Sequence, residues 1–284
     1  MWHRRAVEQR SGFTETAGGE QSGRTPRLTG GGRDVQRGSA EVICLKERNF
    51  AMLKTDLIFR NPLRLLGHES EDIVAEGEFG AVLAGAGVGK TAFVVQLALD
   101  SALRNRHVLH VSMNEPITKV SVWYKEVFSL LAQQYKIDQM NALWDSMLPY
   151  RFIMTFKVEG FSVPKLQERL TDLMAQQIFD PQMIIIDGMP FSESVRASLS
   201  DLKAFIRNNS MSAWFSVRTH RHEPAGPEGL PFCLSPVADM FDVIIRLQPE
   251  GEDVHIDVLK GKRPSGQAGL LRLDPSTMLI KTSY

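Results

Sequence analysis

The 284-residue chain predicts an α/β fold: a mainly parallel sheet flanked by helices, with antiparallel strands added at the C-terminal edge. Three observations carry this. From Phe79 onward, apolar β-type runs alternate with helical patterns, the signature of a parallel sheet with crossover helices. A glycine-rich segment, "AGAGVGKT", joins the first such run to the first helix. After Pro231 the runs shorten and no helix long enough to separate them intervenes, which points to antiparallel pairing at one edge.

Residues 1–51 come first and are glycine-, arginine- and threonine-rich, with too little apolar surface to offset the entropy of ordering. They read as a disordered extension or as sequence upstream of a true start at Met52, where "MLKTDLIFRNPLRLLGHE" opens the globular domain, 52–284. The expected strands are "FGAVLA" (79–84), "HVLHVSM" (107–113), "RFIMTF" (151–156), "QMIIID" (182–187) and "SAWFSV" (212–217). Helices are expected over 91–104, 117–134, 138–147, 164–179 and 193–208. In the fourth, Ser162 is the N-cap, Pro164 sits in the first turn, and Leu166, Leu170, Leu173 and Met174 form one packing face. Val120, Tyr124, Phe128 and Leu131 recur at helical spacing in the second, so its aromatic residues read first as helix-to-helix packing and only then as an interaction surface. The four short runs at the end are "FDVIIRL", "DVHIDVLK", "LLRLD" and "MLIKT".

Composition narrows the function. Lysine plus arginine and aspartate plus glutamate both number 33, so no global positive field advertises nucleic acid or an anionic membrane as partner. The sequence has no apolar run near the roughly 20 residues that span a bilayer. Cys44 and Cys233 are too few for a disulfide framework or a Cys-based zinc site, which fits a reducing, cytoplasmic setting.

The glycine-rich segment is Ala84-Gly85-Ala86-Gly87-Val88-Gly89-Lys90-Thr91, a Walker A pattern with alanine at its first position. Glycines let backbone N–H groups converge on a phosphate, and the helix opening near Lys90 adds its positive end. Gly85, Ala86, Gly87, Val88, Gly89, Lys90 and Thr91 are therefore the candidate nucleotide-binding residues, with Lys90 reaching the β- and γ-oxygens and Thr91 joining a Mg²⁺ shell. Asp187, ending the apolar run "MIIID", is the candidate second metal residue, in a Walker B pattern; the alternative for it is a turn or capping aspartate, which Gly188 also suits.

These residues resemble the RecA superfamily of P-loop ATPases, closest to its KaiC, RadA and DnaB-helicase-like branch. The resemblance covers roughly Asp72 to Gly266 and rests on "AGAGVGKTAFVVQLAL", "VLHVSMNEP", "MIIIDG" and "DVLKGKRPSG". It implies a RecA-like P-loop fold, ATP and Mg²⁺ as cofactors, and a catalytic glutamate ending the strand after the P-loop helix. That residue is Glu115 here, preceded by Asn114 where KaiC-like members carry a second glutamate, so turnover is expected to be slow. The alternative for Glu115 is a first-turn glutamate favouring the dipole of the following helix. The resemblance also implies a γ-phosphate sensor at Arg218 or His220, and a finger inserted into a neighbouring subunit's site from Lys260, Lys262 or Arg263, hence a ring or filament. The finger's alternative is a solvated edge-strand cluster. His222 and Glu223 beside His220 read as solvated rather than metal-binding. The expected function is a slow, oligomeric Mg·ATP-dependent ATPase in a regulatory or motor-like role. The alternative is a nucleotide-binding switch with little hydrolysis. A DNA recombinase or helicase is the third reading and lacks an aromatic-basic stripe.

Overall fold

The computed structural model describes residues 52–66, 73–113, 115–191, 195–219, 230–261 and 271–282. All of them belong to one compact unit, Glu47–Tyr284. The expected extension 1–51, Asn114, His220, His222, Glu223, Lys262 and Arg263 lie outside the described residues.

The helices in chain order are α1 (52–60), α2 (Lys90–Leu103), α3 (Ile117–Gln134), α4 (Met140–Met147), α5 (Val163–Ala175) and α6 (Val195–Asn208). The strands are β1 (Phe79–Ala84), β2 (Val108–Ser112), β3 (Arg151–Thr155), β4 (Met183–Asp187), β5 (Ser212–Arg218), β6 (Val243–Glu250), β7 (Asp253–Lys260), β8 (Leu271–Leu273) and β9 (Ile280–Thr282). They form one nine-stranded sheet in the order β3-β2-β4-β5-β1-β6-β7-β8-β9. Pairing is parallel from β3 to β6 and antiparallel from β6 to β9.

One expectation needs correction. The run "FDVIIRL" does not join the antiparallel set that its short length predicts: β6 pairs in parallel with β1, Ala81 opposite Ile244. The stretch between Arg218 and Val243 is long enough for a parallel crossover, which needs about a dozen residues. Antiparallel pairing starts one strand later, where Gly251 turns the chain at φ 61°. Helix α1 carries no clear sequence signal, because its apolar residues do not share a face: Leu57 is buried while Met52 and Phe59 are exposed.

Alternation along the strands builds a core on each face of the sheet. Phe79, Ala81 and Leu83 of β1 pack toward α5 and α6, whereas Val82 and Ala84 face α2, α3 and α4. The Ser162 hydroxyl accepts from the Lys165 N–H, as expected of the α5 N-cap. Tyr124 and Phe128 are buried, and Phe128 lies 5.2 Å from the Trp144 ring, so these aromatic residues do pack helix to helix.

The C-terminal strands are fastened to the helix that follows the glycine loop. Buried Gln96 in α2 donates from Nε2 to the Met278 carbonyl (2.8 Å) and accepts at Oε1 from the Ile280 N–H (3.0 Å). This pair of bonds satisfies backbone groups that would otherwise be buried without partners where β9 meets α2.

Candidate functional site

The glycine loop leaves the carboxyl end of β1, and the same end of the sheet carries Ser112 of β2, Asp187 of β4 and Arg218 of β5. Open α/β sheets bind ligands outside the carboxyl ends of their strands. Here that edge opens into a cleft of about 640 Å³, within the range of small-molecule sites. Ala86, Gly87, Lys90 and Thr91 form one wall, with Asp187, Glu115 and Arg218 around it and the Met189-Pro190-Phe191 turn with Cys233 beyond.

Backbone conformation explains the glycines. Gly87 has φ 74° and Gly89, the residue preceding α2, has φ 112°, both in the region that side chains disfavour. Gly89 is also crowded: a Cβ there would lie 2.5 Å from Leu273 Cδ2 and 3.3 Å from Met278 Sδ, while a Cβ on Gly87 would meet nothing within 4 Å. The β8 strand thus presses on the base of the loop. Gly89→Ala is expected to cost about 2–4 kcal/mol, combining backbone strain with overpacking against the fully buried Leu273. Gly87→Ala should show only the strain, about 1–2 kcal/mol. Urea unfolding of the two variants separates the terms, and equal losses would remove the Leu273 contact from the account.

The charged groups are drawn together across three strands. Because β5 lies between β1 and β4, the glycine loop and Asp187 are separated laterally by about 10 Å, twice the strand spacing. Thr91, in the first turn of α2, bridges that gap by donating from Oγ1 to Asp187 Oδ2 at 3.1 Å. Ser216 of β5 donates to Asp187 Oδ1, and the Ser216 hydroxyl accepts from the Gly188 N–H at 3.0 Å. Lys90 Nζ donates to the carbonyls of Ala84 (2.9 Å) and Gly85 (2.7 Å) at the entrance to the loop. Burial pulls its ammonium below the usual lysine range, with Asp187 opposing that pull and Arg218 adding to it.

Glu115 lines the cleft two residues before α3 begins, and its position is held from both ends. The Ser112 hydroxyl donates to the Glu115 carbonyl (3.0 Å) and accepts from its N–H (3.1 Å), while the carboxylate meets Lys119 Nζ at 2.8 Å. Arg218 lies on the cleft, exposed, with its backbone opposite Ala84. Lys260 does not line it. Its strand pairs it with Ile244, itself opposite Ala81 in the first half of β1, and its ammonium donates to the Ala238 carbonyl at 3.1 Å.

Two residues at the site escaped the sequence reading, Ser216 and His110. Both are polar side chains inside otherwise apolar strands, "WFSV" and "VLHV", and that interruption is the signal that could have found them. His110 is fully buried beneath Asp187, with Nδ1 3.1 Å from the Tyr124 hydroxyl and Nε2 3.9 Å from Asp187 Oδ2. Burial pushes the imidazole down to about 4, against the pull of Asp187 and with Arg151 adding to the drop. Burial likewise pushes the Tyr124 phenol up.

No protein-family model matches this chain, and no curated protein matches it. Hydroxyl and carboxylate oxygens at Thr91 and Asp187 form a hard donor set suited to magnesium, which takes one or two protein ligands and completes its shell with water and phosphate oxygens. Among the described residues no three His, Cys, Asp or Glu side chains gather as a metal cage. Also among them, no helix is long and apolar enough to cross a membrane.

Proposed function

We propose that this chain is a RecA-like P-loop ATPase that binds Mg·ATP in the cleft at the carboxyl end of its sheet. The observation that carries the reading is the Thr91 to Asp187 hydrogen bond at the mouth of the glycine loop, with Lys90 beside it. A threonine hydroxyl has one proton and two lone pairs, so donation to Asp187 leaves a lone pair for a cation. A magnesium ion held by Thr91 and Asp187 would supply positive charge that offsets the charge of the phosphates. Thr91 would hold it directly and Asp187 through water. The N–H groups from Gly85 to Thr91 would cradle the phosphates, and Lys90 would exchange its two carbonyl partners for anionic oxygens, which are the stronger acceptors. Glu115 would orient water toward the γ-phosphate, and Arg218 or His220 would sense it.

A finger role for Lys260, Lys262 or Arg263 belongs to an oligomer, cytoplasmic and of ring or filament form. Lys260 does not line its own cleft, so such a role for it would be played at a neighbour's site. A second reading, a nucleotide switch with little hydrolysis, has its own support. The Glu115 carboxylate is engaged by Lys119, and a base must be released from such a partner before it can take a proton.

Calorimetric titration with ATP, with and without Mg²⁺, tests the binding claim. The wild type should bind more tightly with Mg²⁺ than without it, with measurable binding in both cases. In Asp187→Asn, binding should persist but the Mg²⁺ dependence should weaken by roughly tenfold or more, since the aspartate acts through the metal shell. Equal binding by wild type with and without Mg²⁺ would remove the metal from the site.

A further inference from the structure

We propose that His110 is a positioning residue for Asp187, and that Tyr124 sets the imidazole tautomer that lets it act. The proposal rests on the Mg·ATP reading and concerns the layer beneath it.

An imidazole in the middle of β2 is costly to bury, and buried polar atoms ordinarily find partners. His110 meets that requirement at only one nitrogen. Its Nδ1 is 3.1 Å from the Tyr124 hydroxyl, whereas Nε2 is buried without a hydrogen-bond partner. The Nε2 atom lies 3.9 Å from Asp187 Oδ2, the oxygen that accepts from Thr91 on the cleft side.

The two tautomers differ sharply in what they present to that carboxylate. With the proton on Nδ1, His110 donates to Tyr124 and turns a lone pair toward Asp187, a repulsive arrangement. When Tyr124 donates instead, Nε2 carries the proton and its N–H dipole faces Oδ2, which is attractive. A tyrosine hydroxyl can donate, so the second arrangement satisfies Tyr124 and His110 together and aims a donor at the metal-shell carboxylate. Asp187 then has Ser216 at Oδ1, Thr91 at Oδ2 and the His110 dipole behind it, which restricts rotation of the carboxylate about its axis. Outer partners of this kind orient metal-binding carboxylates, and their loss typically weakens metal affinity about 10–100-fold.

Two measurements on the full chain decide the matter. Nitrogen NMR of the histidine side chains, assigned by difference against His110→Phe or, if that variant does not fold, His110→Gln, should show His110 protonated on Nε2. ATP titrations at graded MgCl₂ should show the Mg²⁺ midpoint raised about tenfold in His110→Phe, and raised to a smaller degree in Tyr124→Phe, which keeps the buried ring and removes only the hydroxyl. In both variants ATP binding in EDTA should match the wild type, a result that a general loss of structure would not produce. Tyr124→Phe carries the titration test alone if both His110 variants fail to fold. Protonation on Nδ1, an unmoved Mg²⁺ midpoint in folded variants, or an equal loss with and without Mg²⁺ overturns the proposal. A wild type that binds no ATP at any Mg²⁺ concentration overturns the nucleotide reading as well, and the wild-type titration alone reports that.

Discussion

Lys90→Ala is expected to weaken Mg·ATP binding by about 10²–10⁴-fold while leaving the chain folded. The magnitude follows from the two hydrogen bonds that Nζ now makes to Ala84 and Gly85, which mark the donors available to phosphate oxygens. Each bond to a charged group contributes about 1.5–3 kcal/mol, so two correspond to about 3–6 kcal/mol of binding. The fold should survive for a different reason. The Ala84 carbonyl keeps a second partner, the Thr219 N–H at 2.9 Å, and the strand and helix that flank the loop are packed independently of the ammonium. Calorimetric titration of the variant with ATP and Mg²⁺, alongside a thermal melt, reads both halves of the expectation. Unchanged affinity in a folded variant would show that the glycine loop is not the binding site. Lys90→Arg should not rescue binding fully, because a planar guanidinium cannot reproduce the compact ammonium among the loop carbonyls.

Glu115→Gln is expected to lower γ-phosphate release by about 10²–10⁴-fold with ATP still bound, the usual range for a lost general base. The amide should fit the same space, since Ser112 holds the backbone of residue 115 at both its N–H and its carbonyl. Lys119→Ala is an informative companion. It removes the 2.8 Å partner of the carboxylate, so turnover should rise if that ion pair restrains the base. Asn114→Glu adds a second carboxylate next to Glu115 and should raise the rate further. A wild type with no turnover above background, converted to an active enzyme by Asn114→Glu, would establish the switch reading instead. If Glu115→Gln turns over as fast as an active wild type, the base lies elsewhere. Running the assay across protein concentrations adds the oligomer to the test. A site completed by Lys260, Lys262 or Arg263 of a neighbour loses specific activity on dilution, and a constant rate down to a demonstrated monomer removes that finger from the mechanism.

The elements of the site were legible in the sequence to different depths. The β1, glycine loop and α2 unit is local: alternation, turn-forming glycines and a 3.6-residue period occupy adjacent residues, so each could be read in place. Helix α3 was likewise legible over Ile117–Gln134, because its buried face repeats at helical spacing. The short α1 was not, since its apolar residues point several ways and only packing selects the buried one. The direction of β6 was also hidden. The pairing of β6 with β1 is a choice among strands distant in sequence, which no local pattern signals.

By itself, then, the sequence determined the alternation of strands and helices, the glycine loop with Lys90 and Thr91 opening α2, and Asp187 at the end of an apolar strand. These are properties of neighbouring residues, set by backbone sterics and hydrophobic period. Only the tertiary structure decided which strands lie side by side. Placing β5 between β1 and β4 set the gap that Thr91 closes onto Asp187, 96 residues away in the chain, and put Ser216 under the same carboxylate. It also buried His110 against Tyr124 and drove Leu273 onto Gly89. Side-chain packing over long sequence separations makes those choices, and no local pattern encodes which distant strand will become the neighbour.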